Sequence, residues 1–114
     1  MLRDDATLLD LLEAARLAVS FVAGMDRATF DSDVKTQSAV RHQILLLGEG
    51  VKRLSEAFRS RHAEIPWKEI AGMRDKLIHE YEFVDLDEVW KTVSGDIPTL
   101  LTTLQALAPR EDSS

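Results

Sequence analysis

Val40-Arg41-His42-Gln43-Ile44-Leu45-Leu46-Leu47-Gly48-Glu49-Gly50-Val51-Lys52-Arg53-Leu54 is the stretch that decides the fold. Here and just beyond it, Val40, Ile44, Leu47, Val51, Leu54 and Phe58 alternate steps of four and three. A helix turns about 100° per residue, so these positions form one seam, the pattern of helices packed side by side in a bundle. The spacing predicts one long helix from about Asp33 to Arg59. Leu45 and Leu46 widen its apolar surface beyond a single seam. Gly48 and Gly50 are out of place in a helix interior, where each costs about 1 kcal/mol against Ala. Either that cost is tolerated or another helix, such as one from a second subunit, approaches closely there.

The flanking sequence repeats the pattern. Leu8, Leu11, Leu12, Ala15, Val19 and Val22 form an apolar stripe, so a first helix is expected from about Asp5 to Val22. Asp4, Asp5 and Thr7 are its candidate caps and Gly24 its stop. Residues 25–33 read as a connector anchored by Phe30. Residues 60–66 read as a polar loop, and Pro66 suits the first turn of a third helix reaching Tyr81, with Trp67 as a core or interface anchor. Asp85 or Asp87 caps a fourth helix carrying Leu86, Val89, Trp90, Val93, Ile97, Leu100, Leu101 and Leu104. Ser94-Gly95-Asp96 followed by Pro98 should kink or interrupt it. No strand alternation or repeat competes. The expectation is an all-α, antiparallel bundle of four to five helices, in a single domain over residues 1–108 with a polar tail at 109–114.

Composition removes several function classes. The chain has 114 residues and a formal net charge of -6, which argues against generic nucleic-acid binding through a broadly basic surface. It has no cysteine, so disulfides, zinc-thiolate sites and thiol catalysis are excluded. The acidic start lacks the charge pattern of a signal peptide, and no apolar run approaches the roughly 18 residues of a membrane span. A soluble, cytoplasmic chain without membrane contact is expected. There is no glycine-rich phosphate loop, metallopeptidase His-Glu pairing or nucleophilic Ser elbow. His42, His62 and His79 do not cluster, so no metal and no cofactor is expected.

Reactive groups concentrate in Arg74-Asp75-Lys76-Leu77-Ile78-His79-Glu80-Tyr81. Arg74 can clamp a phosphate by forked hydrogen bonds, and His79 can move a proton near neutral pH. Asp75 can orient a neighbouring polar group. Arg74 and Tyr81, seven apart, share a helix face, whereas His79 lies about 140° around from Arg74. One ideal helix therefore does not aim Arg74 and His79 at one phosphate. Local unwinding near His79 would repair this, as would two copies of the helix meeting in a symmetric dimer. Such a composite cleft suits RNA cleavage without metal. A base takes the ribose 2′-hydroxyl proton, and the 2′-oxygen attacks the adjacent phosphorus. On the residues alone, a salt-bridged polar helix end is the competing reading.

Arg74, His79 and Tyr81 at these intervals resemble the signature of the HepT-like toxins of the HEPN superfamily. The resemblance extends through Ala39-Val40-Arg41 to Glu49, Ile65-Pro66-Trp67, Met73-Arg74, Val84-Asp85-Leu86, Val89-Trp90 and Ile97-Pro98, and covers about Leu8 to Leu107. It implies a HEPN-like helical homodimer whose motifs face a shared cleft, and a metal-independent ribonuclease that acts as a toxin on RNA. It also implies a partner, a small MntA-like nucleotidyltransferase antitoxin that transfers AMP from ATP to the motif Tyr. Carried over, Arg74 and His79 are the catalytic pair, Asp75 matches the supporting polar position, and Tyr81 is the AMP acceptor. Gly50 departs from the pattern, standing where the family usually has Ala. The net acidity leaves the RNA-binding surface unassigned. It also motivates an alternative, a non-catalytic dimeric binding module for a nucleotidyltransferase.

Overall fold

The computed structural model describes residues 3–79 and 85–108. The expected tail at 109–114 and the turn at 80–84 lie outside the described residues. Helices α1 (Arg3–Phe21), α3 (Val34–Arg53) and α5 (Trp67–His79) are the long rods. A fourth rod consists of α6 (Leu86–Lys91), a wide π turn (Thr92–Asp96) and α7 (Ile97–Leu107). Short helices α2 (Arg27–Asp31) and α4 (Glu56–Arg61) fill two of the connections. No strand occurs among the described residues, so the fold is an all-α bundle. No described helix is long and apolar enough to cross a membrane.

The seam of α3 explains the architecture. Val40, Ile44, Leu47 and Val51 are buried, and α3 packs α1 on one side and α5 on the other. Leu8, Leu11, Ala15 and Ala18 of α1 close the core from one direction, and α7 adds Ile97, Leu100 and Leu104. Phe30, the expected anchor of the first connector, is fully buried and packs on the Trp90 ring at 5.1 Å. Asp26 caps the short helix that carries it. Trp67 is buried as an anchor of the bundle, its indole N–H donating to the carbonyls of His62 (3.0 Å) and Arg59 (3.2 Å).

The structure corrects the long-helix expectation at one point. The helix expected from Asp33 to Arg59 breaks after Arg53. Leu54 turns extended (φ -67°, ψ 143°), and Ser55 starts α4 by accepting the Phe58 N–H at 3.0 Å. Asp4, read as a cap of α1, holds this break instead. Its carboxylate accepts the Ser55 N–H at 2.8 Å and the Ser55 hydroxyl at 2.6 Å. Those bonds hold the Asp4 carboxyl below its ordinary range. Leu54 and Phe58 remain buried on either side, so the apolar spacing runs through the break unaltered.

Asp85 is the cap of the fourth rod, accepting the N–H groups of Asp87 and Glu88. The expected interruption is the π turn. Pro98 has no N–H to give the Ser94 carbonyl, and its ring would crowd that carbonyl in a regular helix. The wider turn over Thr92–Asp96 accommodates both.

Candidate active site

Arg74 lies where α5 crosses α3. A Cβ added at Gly48 would overlap the Arg74 Cβ and lie 3.4 Å from its Cα. Only a residue without a side chain lets the Arg74 main chain come this close. Gly50 does the same for α1, where an added Cβ would stand 2.5 Å from Leu11 Cδ2. Both interior glycines thus serve close approach, and the approaching side chains belong to this chain.

The seat of Arg74 is a charged cluster shared by two helices. Arg74 Nη1 donates to Asp75 Oδ1 at 3.2 Å, and Lys52 Nζ donates to the same oxygen at 3.1 Å. Glu49 Oε1 stands 3.7 Å from Arg74 Nε, an ion pair too long for a hydrogen bond, and that Nε is buried without a hydrogen-bond partner. The Lys52 bond, and next the Arg74 guanidinium, hold the Asp75 carboxyl below its ordinary range. Asp75 is therefore ionised at neutral pH and anchors both cations. Arg74 keeps about a quarter of its side chain exposed, 28%. A guanidinium has five donors, and the Asp75 hydrogen bond uses one of them.

Asp75 accepts hydrogen bonds from both Arg74 and Lys52. Of His79 the structure describes the backbone, helical within α5. That backbone keeps positions 74 and 79 about 140° apart around the axis, the divergence expected from spacing. Tyr81 lies outside the described residues. Glu49 and Lys52 were not singled out by sequence reasoning as site residues. Their available signal was weak: two charges three apart on α3, Glu49 between the interior glycines and Lys52 just beyond them. His42 is exposed, and His62 caps the end of α4 with its ring 4.7 Å from that of Phe58. Arg41 and Lys76 line a separate cavity of about 350 Å³ between α3, α5 and α6, where Lys76 pairs with Glu88 at 3.1 Å.

A family model described as “Ribonuclease HepT-like” matches residues 11–107. The chain is 45% identical over 91 residues to “Probable ribonuclease HepT” of Thermococcus cleftensis, covering 80% of this chain and 83% of that one. It is 37% identical over 101 residues to a “Putative RNase” of Caldanaerobacter subterraneus subsp. tengcongensis, covering 89% and 90%. A similarly named protein of Methanocaldococcus jannaschii is 34% identical over 102 residues, covering 90% and 84%. No solved structure matches the chain.

Proposed function

The chain belongs to the HepT-like ribonuclease family, and from that premise we propose that it is a toxin endoribonuclease whose activity centres on Arg74 and His79. The observation that carries this reading is the seating of Arg74. Its main chain is packed on Gly48, and its guanidinium pairs with Glu49 and Asp75 while part of the side chain stays exposed. A clamp fixed in advance is worth more to a transition state than a mobile one, because it need not reorganise as charge develops.

The proposed reaction needs no metal ion. The His79 imidazole, in its neutral form, accepts the proton of a ribose 2′-hydroxyl. The 2′-oxygen attacks the adjacent phosphorus, the bond from phosphorus to the 5′-oxygen breaks, and that oxygen leaves with a proton. The products are a 2′,3′-cyclic phosphate end and a 5′-hydroxyl end. Arg74 stabilises the charge on the phosphorane oxygens.

A homodimer cleft brings Arg74 and His79 together, since one helix separates them by about 140°. Two copies supply two imidazoles, one to accept a proton and one to donate. Leu46, 40% exposed, stands three residues before Glu49 on the same face of α3 and suits such a contact. A nucleotidyltransferase antitoxin silences the site by moving AMP from ATP to the Tyr81 hydroxyl, with release of pyrophosphate.

The test is incubation of the purified protein with RNA in the presence and absence of EDTA. Wild type should cleave in both and leave cyclic phosphate ends, and His79→Ala should not cleave. A His79→Ala protein as active as wild type removes His79 from the reaction. Loss of cleavage in EDTA, restored by added divalent metal, removes the metal-free mechanism.

A further inference from the structure

The net charge of -6 conceals a strong asymmetry. Residues 52–76 hold seven of the fourteen Lys and Arg residues but only four of the twenty Asp and Glu residues. This segment forms the end of α3, all of α4 and most of α5. It includes Arg74. The rest of the chain holds the other seven Lys and Arg residues against sixteen Asp and Glu residues.

Part of that charge lines an open groove of about 670 Å³ between α4 and α5, with Lys52, Arg59 and Lys68 on its walls. Arg59 Nε is buried with no hydrogen-bond partner, and no ion pair among the described residues engages Arg59 or Lys68. By contrast, Arg16 is paired with Glu13, Arg27 with Asp31 and Asp87, and Arg53 with Asp10. Glu56 and Glu69 also line the groove, but each sits in the first turn of its helix, where the N-terminal amides offset its charge. Lys52 connects the two regions. It lines the groove and donates to the Asp75 oxygen that also binds Arg74.

We propose that the α4–α5 groove is the binding track for the RNA strand flanking the scissile phosphate, with Arg59 and Lys68 holding backbone phosphates and Lys52 leading the strand to Arg74. The substrate identity rests on the ribonuclease reading above. The contacts are to phosphates, so the track selects a nucleic-acid backbone rather than a base sequence. Trp67 is buried and its N–H is satisfied, so it is not a stacking platform and charge supplies the affinity. This focused basic surface resolves the conflict between an acidic chain and a polyanionic substrate.

The experiment measures binding of a fluorescent single-stranded RNA as a function of salt, and cleavage of the same RNA, for wild type, Arg59→Gln/Lys68→Gln and Lys68→Glu. Lys35→Gln, which removes one charge, serves as a control away from the groove. Lys35 is seventeen residues before Lys52 on α3, roughly 25 Å away. The double variant should lose on the order of tenfold in RNA affinity, and its salt slope should fall by about 1.4, the value for two single-strand phosphate contacts. In cleavage the loss should appear in KM rather than kcat. Lys68→Glu, at an exposed position, should act in the same direction even if Arg59→Gln disturbs folding. Lys35→Gln should bind as wild type does. Unchanged affinity and salt slope in both groove variants, with wild type cleaving RNA, overturns the track and leaves the ribonuclease reading intact. Groove-dependent RNA binding by a wild type that cleaves nothing upholds the track and overturns the ribonuclease. A wild type that neither binds nor cleaves RNA overturns both.

Discussion

Gly48 of α3 leaves the space into which the Arg74 Cβ of α5 fits. Two effects compete when that space is filled. Gly→Ala in a helix interior gains about 1 kcal/mol of propensity. Overpacking against a Cβ and nearby backbone costs about 1–3 kcal/mol, because neither can swing aside. Gly48→Ala is therefore expected to lower the melting temperature and displace Arg74, lowering RNA cleavage with it. Gly50→Ala meets the far end of the Leu11 side chain, which can rotate, and should be milder in both respects. Thermal melts and cleavage rates of the two variants decide the matter. A Gly48→Ala protein more stable than wild type would show that propensity wins.

Arg74→Lys keeps the charge and loses the fork. A lysine cannot span Asp75 on one side and a phosphate on the other with fixed geometry. The expected loss in kcat is about 100-fold or more, the scale of removing one preorganised donor from a transition state, with fold and stability little altered. Cleavage by Arg74→Lys within a few fold of wild type would reduce Arg74 to a point charge.

The seam from Val40 to Val51 was legible because burial on a helix face is a local periodic property. It survived intact, as did the anchors Phe30 and Trp67 and the interruption near Pro98. The break at Ser55 was not legible, for a physical reason. Leu54 and Phe58 continue the apolar spacing across it, and the group that holds it, Asp4, lies 51 residues earlier. The candidate site divides in the same way. Arg74 and Asp75 carry their chemistry in their residue types and adjacency. Glu49 and Lys52 enter only through the crossing of α3 and α5, which no spacing within one helix encodes.

Asp4 and Ser55 should behave as one unit. Ser55→Ala removes the α4 cap and one Asp4 contact, at about 1 kcal/mol. Asp4→Ala removes both bonds to Ser55 and leaves its N–H without that partner. Because the substitutions break shared bonds, the double variant should be less destabilised than the two singles added together. Urea unfolding of the four proteins measures the coupling, and strict additivity would mean the bond between the Ser55 hydroxyl and Asp4 contributes nothing.

Asp75 predicts a pH dependence with a definite sign. Its folded carboxyl is held below the ordinary value of 3.8, chiefly by Lys52 and then by Arg74. A carboxyl that ionises more readily when folded contributes stability above its unfolded value, and that contribution is lost as pH falls through the folded value. The stability difference between wild type and Asp75→Asn should therefore be present at about pH 6 and shrink toward about pH 2. The cluster is exposed, so the difference should be small and weakened by salt. Urea midpoints of both proteins across this range provide the check. A difference that grows on acidification has the wrong sign for this cluster.

Tyr81 supplies the sharpest test of regulation. The seven-residue interval between Arg74 and Tyr81 in the sequence is the basis of the expected effect. An AMP group on its hydroxyl would bring a negative phosphate toward the guanidinium proposed to clamp RNA, competing by charge and by volume. Co-expression with a nucleotidyltransferase antitoxin should add mass in whole AMP units, abolish cleavage and relieve growth arrest. Tyr81→Phe should gain no mass, keep its nuclease activity and arrest growth despite the antitoxin, because the only change is the loss of the acceptor oxygen. Neutralisation of Tyr81→Phe as complete as that of wild type would show that the antitoxin acts by covering the site, not by modifying it.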